Sequence, residues 1–320
     1  MVTADVLDRA LGVVLGSAVG DALGAPYEFE VATPGPDGPR MIGGGLGDFA
    51  PGEWTDDTAM AWCVLDVAAS GAGLHTDEGL TDVARCFRAW FDTDPADVGN
   101  QTRAILSAAG PSPTGATMTA TAFDLHARTG HTGGNGSLMR TGPVALPYLD
   151  DPALLATAAR RVCLLTHYDV RAQEACVLWS LAVRHAVLRA ELDVRVGLDR
   201  LETPSAAYWS ERILEAEDSP PGRFRPNGWV VAAFQAAWSA IVHTPVPDDD
   251  PRRHLLDALT TAIAIGNDTD TVAAIAGALL GARWGASAVP HDLRRINHGY
   301  PGLSADDLVV LAKRAVVEQG

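Results

Sequence analysis

Two short acidic segments carry the residue types best suited to chemistry. Residues 53–58 read EWTDDT and precede a helical pattern predicted to begin at Ala59. Residues 266–271 read GNDTDT and precede a second helical pattern, predicted to begin at Val272. Thr and Asp also cap helix N-termini, where they accept hydrogen bonds from free N–H groups and complement the helix dipole. Each segment alone therefore leaves a functional and a capping interpretation open.

Together the two segments supply four carboxylates if the fold brings them into one pocket. They are Asp56, Asp57, Asp268 and Asp270. Four negative charges share a pocket only when cations neutralise them. The available ligands are all oxygen atoms, which favours Mg²⁺ or Mn²⁺ over Zn²⁺. Two such ions close together can chelate a diol, polarise a leaving group and acidify a water molecule.

A glycine-rich loop and a histidine are the next candidates. Residues 131–137 read HTGGNGS, and glycines let backbone N–H groups approach a pyrophosphate closely. The loop lacks the Gly-Lys-Ser/Thr ending of a Walker loop, and a flexible surface turn is the alternative interpretation. Arg140 either binds phosphate or anchors this loop to an acidic neighbour. His167, at the junction of two predicted helices, either contacts a ligand or is structural.

Helical periodicity dominates the segments that must position these residues. In the first helix Leu7, Leu11, Val14, Leu15 and Ala18 form one apolar stripe at spacings of three and four. Similar stripes recur along the chain, and no alternating strand pattern of useful length interrupts them. The sequence therefore predicts an all-α fold, a single-domain helical bundle over residues 1–320.

Glycines recur at intervals of four in two of the predicted helices. They are Gly12, Gly16, Gly20 and Gly24 near the N-terminus, and Gly277, Gly281 and Gly285 after the second acidic segment. This spacing predicts two central helices whose backbones approach closely and hold their terminal loops rigidly.

Composition narrows the class of protein. Hydrophobic residues make up 47% of the chain and charged residues 20%, which predicts a folded globular protein. The net charge of −16 argues against binding a nucleic-acid backbone, because such binding depends on Lys and Arg. The four cysteines show no zinc-ligand spacing, the N-terminus lacks the basic start of a signal peptide, and no segment is apolar enough to span a membrane. We expect a cytoplasmic protein with no membrane partner, and a monomer by default.

Four sequence blocks occur in the same order as in a known family. They are GDALGAPYE at residues 20–28, TDDT at 55–58, GNGSLMR at 134–140 and DTDT at 268–271. With these blocks the chain resembles the ADP-ribosylglycohydrolases, the family that includes dinitrogenase-reductase-activating glycohydrolase and the ADP-ribosyl-acceptor hydrolases. The resemblance extends from about residue 7 to about residue 290.

The resemblance implies an orthogonal helical bundle with two bound Mg²⁺ or Mn²⁺ ions. It implies hydrolysis of the bond between C1″ of ADP-ribose and an acceptor, so the expected partners are ADP-ribose and an ADP-ribosylated acceptor. The implied metal ligands are Thr55, Asp56, Asp57, Asp268, Asp270 and Thr271. The implied catalytic residues are Glu28, Asp56, Asp57 and Asp270, of which Glu28 closes over the site or handles a proton. The implied ligand-binding residues are Gly134, Asn135, Gly136, Ser137 and His167.

One position departs from the family pattern, and two other functions stay open. Relatives often read Gly-Gly-Asp-Thr-Asp-Thr where this chain has Asn267, which leaves the acceptor-side shape of the pocket and the linkage that is cut undetermined. A terpenoid-synthase-like enzyme is the first alternative, although the chain lacks the spacing of its two metal-binding runs. A non-catalytic ADP-ribose-binding or structural relative is the second, although all six implied metal ligands are present.

Overall fold

The computed structural model describes residues 2–317, and within them the chain is almost wholly helical. The α-helices, numbered in chain order, are α1 (Ala4–Gly24), α2 (Asp56–Ala69), α3 (Asp77–Phe91), α4 (Asn100–Ala108), α5 (Gly115–Thr129), α6 (Pro152–Leu164), α7 (Val170–Arg189), α8 (Thr203–Asp218), α9 (Val230–His243), α10 (His254–Ala264), α11 (Thr269–Trp284), α12 (His291–Ile296) and α13 (Ala305–Val317). Short 3-10 helices join them, among them Ala25–Glu30, Asn135–Ser137 and Gly142–Tyr148. The strands in the described chain are two residues long each, β1 (His298–Gly299) and β2 (Leu303–Ser304). The predicted all-α class is confirmed.

The two glycine-patterned helices, α1 and α11, pack antiparallel and are buried for most of their length. A Cβ on Gly16 would lie 2.3 Å from the carbonyl oxygen of Gly277, and a Cβ on Gly277 would lie 2.1 Å from that of Gly16. No side chain fits at these distances, so the predicted close approach is confirmed. The functional consequence lies at one end of the pair, where Gly24 of α1 meets the backbone of Asp270 in α11.

Helix α11 is also held on a second face by aromatic side chains. Trp179 of α7 packs edge-on against Phe234 of α9, with 5.0 Å between the ring centroids. The Trp179 indole N–H donates to the carbonyl of Ile275 in α11 at 3.1 Å. These rings belong to a hydrophobic cluster that includes buried residues from α1 to α13. Packing on several sides thus fixes where the N-terminus of α11 points.

The acidic segments continue into the first turns of α2 and α11 instead of ending before these helices begin. α2 begins at Asp56 behind the capping side chain of Thr55, and α11 begins at Thr269. The predicted starts at Ala59 and Val272 are wrong, each by three residues (59 against 56, and 272 against 269). The physical reason is that carboxylates in a first turn complement the helix dipole, so acidic residues extend a helix toward its N-terminus.

A short hairpin near the C-terminus holds the segment in front of α2. β1 pairs antiparallel with β2. The N–H of His298 in β1 donates to the carbonyl of Gly52 at 3.0 Å, and the His298 carbonyl accepts from the N–H of Trp54 at 2.9 Å. The sequence analysis missed this contact, because strands of two residues carry no alternating pattern.

Every helix within residues 2–317 is too short or too polar to cross a bilayer.

Candidate metal centre

The two acidic helix starts lie against each other, although 214 positions separate the residues in contact. The Thr271 hydroxyl donates to Oδ2 of Asp57 at 3.4 Å. The same carboxylate oxygen accepts from the Thr55 hydroxyl at 3.2 Å. The remaining three predicted ligands line one cavity beside this contact: Asp56, Asp268 and Asp270. The fold therefore brings the two acidic segments together.

Asp21 of α1 fastens the first acidic helix start. Its fully buried carboxylate accepts hydrogen bonds from the N–H of Thr55 at 3.1 Å, and from the N–H and hydroxyl of Thr58 at 3.0 and 2.6 Å. Burial raises the pKa of Asp21 to about 6, although these hydrogen bonds act to lower it. Asp21 belongs to the block GDALGAPYE, but no role for it was predicted from the sequence. A carboxylate in the largely apolar C-terminal part of α1 was the signal available.

Glu28 and Asp97 add two more carboxylates beside the acidic segments. Carboxylate oxygens of Glu28, Asp97 and Asp270 all lie within 4.8 Å of one another. Glu28 reaches this position because the chain kinks within Ala25–Glu30, where the N–H of Phe29 donates to the carbonyl of Asn267 at 2.7 Å. Asp97 comes from the loop between α3 and α4. The sequence analysis missed Asp97, because a lone loop aspartate has no periodic or motif context.

These carboxylates, which we call the acidic cluster, are not paired directly with basic side chains, although the charge of Arg103 acts to lower the pKa of Asp97. The cluster comprises Asp21, Glu28, Asp56, Asp57, Asp97, Asp268 and Asp270. Within residues 2–317, no Lys or Arg forms an ion pair with any of them at 4.0 Å or less. Burial, followed by neighbouring carboxylates, raises the pKa of Glu28 to about 9 and that of Asp56 to about 8. The same causes hold the pKa values of Asp57 and Asp270 well above their usual range.

The donor atoms of the acidic cluster fit divalent cations. They are carboxylate oxygens, joined by the hydroxyl oxygens of Thr55 and Thr271 beside Asp57, and Mg²⁺ and Mn²⁺ prefer oxygen ligands. Oδ1 of Asp57 is buried and has no hydrogen-bond partner in the described chain, so coordination to a cation would satisfy an oxygen that the chain leaves unpaired. A bound cation would also lower the pKa values of the surrounding carboxylates, since an opposite charge favours the ionised form. The cluster is thus able to hold metal.

A cavity of about 450 Å³, which we call the loop cavity, opens beside the acidic cluster. Four of the five predicted ligand-binding residues line it: Gly134, Asn135, Gly136 and His167. The Asn135 amide donates to Oδ2 of Asp268 at 2.7 Å, which ties the glycine-rich loop to the second acidic segment. Ser137 is buried and does not line the cavity. Arg140 is fully buried and donates to the carbonyl of Gly136 at 3.1 Å, so it anchors the glycine-rich loop through a backbone carbonyl rather than through an ion pair.

A second cavity, of about 610 Å³, also borders the cluster, and we call it the aromatic cavity. Asp56 and Asp97 line both cavities, so these two carboxylates lie between the two spaces. Aromatic rings form much of its wall: Phe49, Trp54, Trp90 and Tyr300. Asp48 and Glu53 add further carboxylates, and no Lys or Arg of the described chain lines this cavity. The sequence analysis did not foresee this space, because its walls come from four separate segments.

Asn267 lies away from both cavities. Its backbone is left-handed, with φ of +70°, a conformation that Asn adopts more readily than most residues. Its side-chain oxygen accepts from the N–H of Asn227 at 3.3 Å, and it lines neither the loop cavity nor the aromatic cavity. The departure from the family pattern is therefore accommodated by the backbone of the turn before α11.

Comparisons with known proteins test the resemblance carried by the four sequence blocks. The family model for ADP-ribosylglycohydrolase matches residues 2–320. The ADP-ribosylarginine hydrolase Tri1 of Pseudomonas putida (strain GB-1) is 31% identical over 301 residues, which cover 89% of this chain and 72% of that protein. The ADP-ribosyl-[dinitrogen reductase] glycohydrolase of Rhodospirillum rubrum is 31% identical over 290 residues, which cover 89% of this chain and 88% of that protein.

The fold gives an independent comparison. A solved structure described as an ADP-ribosylglycohydrolase-related protein complex matches with a TM-score of 0.71 and 26% identity, covering 99% of this chain and 100% of that one. Sequence and fold thus agree over nearly the whole length, and the resemblance is confirmed. The chain belongs to the ADP-ribosylglycohydrolase family.

Proposed function

We propose that this protein is a metal-dependent hydrolase that cleaves the bond between C1″ of ADP-ribose and an acceptor group. The observation that carries the proposal is the acidic cluster, buried and unneutralised, at the junction of two cavities. Two Mg²⁺ or Mn²⁺ ions are the proposed cofactors. The residues that would hold them are Thr55, Asp56, Asp57, Asp268, Asp270 and Thr271. When bound, such ions hold a diol, stabilise developing negative charge and lower the pKa of water.

The loop cavity is the proposed site for ADP-ribose. Its volume falls within the usual range for small-molecule sites. Gly134 and Gly136 have no side chains to obstruct the approach of a ligand to the backbone, and the Asn135 side chain bridges the loop to the acidic cluster. The ribose that carries the acceptor would then lie at the cluster, with the phosphates along the glycine-rich loop.

The aromatic cavity is the proposed site for the acceptor, and its chemistry favours a planar cation such as the guanidinium of arginine. Carboxylates from Asp48, Glu53, Asp56 and Asp97 face a wall of aromatic rings. Guanidinium groups stack on aromatic faces and form paired hydrogen bonds with carboxylates, so this lining suits them. The Pseudomonas putida relative, which is named an ADP-ribosylarginine hydrolase, supports the same acceptor.

Asp97 and Glu28 are the proposed proton-handling residues. Hydrolysis joins a water oxygen to C1″ and breaks the bond to the acceptor, whose leaving atom must receive a proton. If ADP-ribose and the acceptor occupy the two proposed sites, Asp97, which lines both cavities, lies beside the bond that breaks. Glu28 lies close enough to Asp97 to exchange a proton with it through one hydrogen bond or one water.

The test is the release of ADP-ribose from defined conjugates by the purified protein. The protein is stripped with chelator, reloaded with Mg²⁺ or Mn²⁺, and assayed on ADP-ribosylated arginine, serine and nucleobase substrates. We expect the arginine conjugate to react fastest, Asp97→Asn to lower kcat by about a hundredfold or more, and Asp124→Asn, an exposed carboxylate of α5, to behave as the unaltered protein.

Three outcomes would contradict the proposal. Release of pyrophosphate from a prenyl diphosphate would support the terpenoid-synthase alternative. Tight binding of ADP-ribose without turnover of any conjugate would support the non-catalytic alternative. Equal turnover by the chelated and reloaded protein would remove the role assigned to metal.

A further inference from the structure

A buried arginine joins the glycine-rich loop to His167 in the wall of the loop cavity. Nη1 of Arg140 donates to the carbonyl of Gly136 at 3.1 Å, and Nη2 donates to the Thr166 hydroxyl at 2.5 Å. That hydroxyl lies 2.7 Å from Nδ1 of His167. Arg140 and Thr166 have no exposed surface, and His167 is 1% exposed. The three side chains form one buried chain of hydrogen bonds.

The guanidinium of Arg140 is a buried charge with no carboxylate partner. In the part of the chain that the structure describes, Arg140 forms no ion pair, and its Nε has no hydrogen-bond partner. Its guanidinium carbon lies 4.7 Å from the centroid of the Phe87 ring. Burying an unpaired charge is costly, and an apolar side chain would serve packing better. Unlike an apolar side chain, the guanidinium of Arg140 donates hydrogen bonds, and it cannot accept one.

The direction of the Arg140 hydrogen bond determines where the Thr166 proton points. A hydroxyl has one hydrogen and two lone pairs, and Arg140 occupies one of the lone pairs. Nδ1 of His167 is the one acceptor within reach of the Thr166 hydroxyl hydrogen among residues 2–317. If Nδ1 carried a proton instead, the buried hydroxyl hydrogen would be left without a partner, at a cost in free energy. The hydroxyl therefore donates to Nδ1, which must be unprotonated.

A neutral imidazole without a proton on Nδ1 carries its proton on Nε2. Nε2 of His167 faces the glycine-rich loop, since a Cβ on Gly134 or Gly136 would lie 3.5 Å from it. The ring lines the loop cavity, and Nε2 forms no hydrogen bond with the described residues. Burial, with a contribution from Arg140, also holds the pKa of His167 well below its usual value. The ring is neutral, and its N–H donor is directed at the cavity.

We propose that Arg140 is a positioning residue, which acts through Thr166 to hold His167 in the tautomer whose Nε2–H donates to an oxygen of the ligand. The identification of that ligand as ADP-ribose rests on the proposed function. Hydroxyl and phosphate oxygens accept such a hydrogen bond, whereas a cationic group would not. The same guanidinium also donates to the carbonyl of Gly136, so the position of the glycine-rich loop relative to Nε2–H of His167 is fixed.

The first experiment reads the tautomer directly, without ligand or activity. Histidine-selective ¹⁵N labelling and long-range ¹H–¹⁵N spectra distinguish a protonated from an unprotonated ring nitrogen, and the spectrum of His167→Gln assigns the signal. We expect an unprotonated Nδ1 and a protonated Nε2 in the unaltered protein. In Thr166→Val, which keeps the shape and removes the hydroxyl, we expect a population protonated on Nδ1. Thr166→Ser should restore the original pattern.

The second experiment measures the consequence for ligand binding by titrating ADP-ribose calorimetrically in Mg²⁺. We expect Thr166→Val to bind about three- to tenfold more weakly, the usual effect of losing one neutral hydrogen bond, and Thr166→Ser to bind almost normally. Thermal unfolding midpoints of the two variants, which should agree closely, separate this effect from a general loss of structure.

A proton on Nδ1 in the unaltered protein would overturn the inference. So would a Thr166→Val variant whose tautomer is unchanged. If the tautomer responds as expected but the unaltered protein does not bind ADP-ribose, the positioning role stands and the proposed function fails.

Discussion

The acidic cluster and the glycine-rich loop border the same cavity. We call the loop, together with Arg140, Thr166 and His167, the glycine-rich wall. The two regions handle their buried polar groups in opposite ways. In the cluster, carboxylates are crowded, buried and unneutralised, and the pKa of Glu28 rises to about 9 as a result. In the wall, Arg140, Thr166 and His167 satisfy one another through directed hydrogen bonds. The first region is suited to cations from outside the chain, whereas the second is organised by the chain itself. A ligand that spans both would be fixed by charge at one end and by hydrogen-bond direction at the other.

The largest expected effect comes from removing one carboxylate of the cluster. We expect Asp56→Asn and Asp270→Asn each to lower kcat/KM for an ADP-ribosylated acceptor by about a thousandfold or more, because the developing charge loses its cation. Both variants should fold, since an amide keeps the shape of the side chain and removes a repelling charge. Full activity of both variants in saturating Mg²⁺ and Mn²⁺ would place the chemistry elsewhere.

The pH dependence of stability should reveal the unneutralised charge of the cluster. A carboxyl with a raised pKa keeps its proton in the folded state above about pH 4, where the unfolded chain releases it. Its contribution to stability is complete below about pH 4 and is lost as the pH rises toward about 8 for Asp56 and about 9 for Glu28. We expect the unfolding midpoint in chelator to fall over this range, and Mg²⁺ or Mn²⁺ to raise it most at the alkaline end.

Glu28→Gln is the matched variant for this titration. It removes one titrating group, so its midpoint in chelator should fall less steeply with pH. A metal-free midpoint that stays constant or rises between about pH 5 and pH 9 would contradict the charge crowding described for the cluster.

The glycine-rich wall should show an effect on binding rather than on chemistry. A Cβ on Gly136 would lie 3.3 Å from Cε1 of His167, so Gly136→Ala should displace the ring or the loop by a few tenths of an ångström. We expect KM to rise about tenfold with kcat nearly unchanged, because the lost contact is made equally in the ground and transition states. A fall in kcat with unchanged KM would mean that the wall takes part in the chemical step.

The smallest expected effect belongs to Asn267. Its φ of +70° suits glycine at least as well as asparagine, and its side chain lines neither cavity. We expect Asn267→Gly to change the free energy of unfolding by less than about 1 kcal/mol and to leave the preference among acceptors unchanged. A changed acceptor preference would show that this turn shapes the aromatic cavity after all.

Most of the secondary structure was predictable, because helical periodicity is a local property of the chain. The errors at Ala59 and Val272 arose where capping residues could be read either as a loop or as a first helical turn. In the candidate site, the acidic segments and the glycine-rich loop were found from their motifs. Asp97 was missed, and the anchoring role of Asp21 was not recognised, because each acts through partners far away in the chain.

The sequence by itself determined the helical class, the family and the oxygen-rich chemistry of two helix starts, since those depend on neighbouring residues and on motif order. Only the tertiary structure decided that Asp97 joins Glu28 and Asp270, that an aromatic cavity borders the same carboxylates, and that Arg140 directs His167. The physical reason is that hydrogen-bond direction and charge crowding depend on distances between segments. The close packing of α1 against α11 sets one of them, the approach of Gly24 to Asp270, and the others depend on loops and helices that meet only in the folded chain.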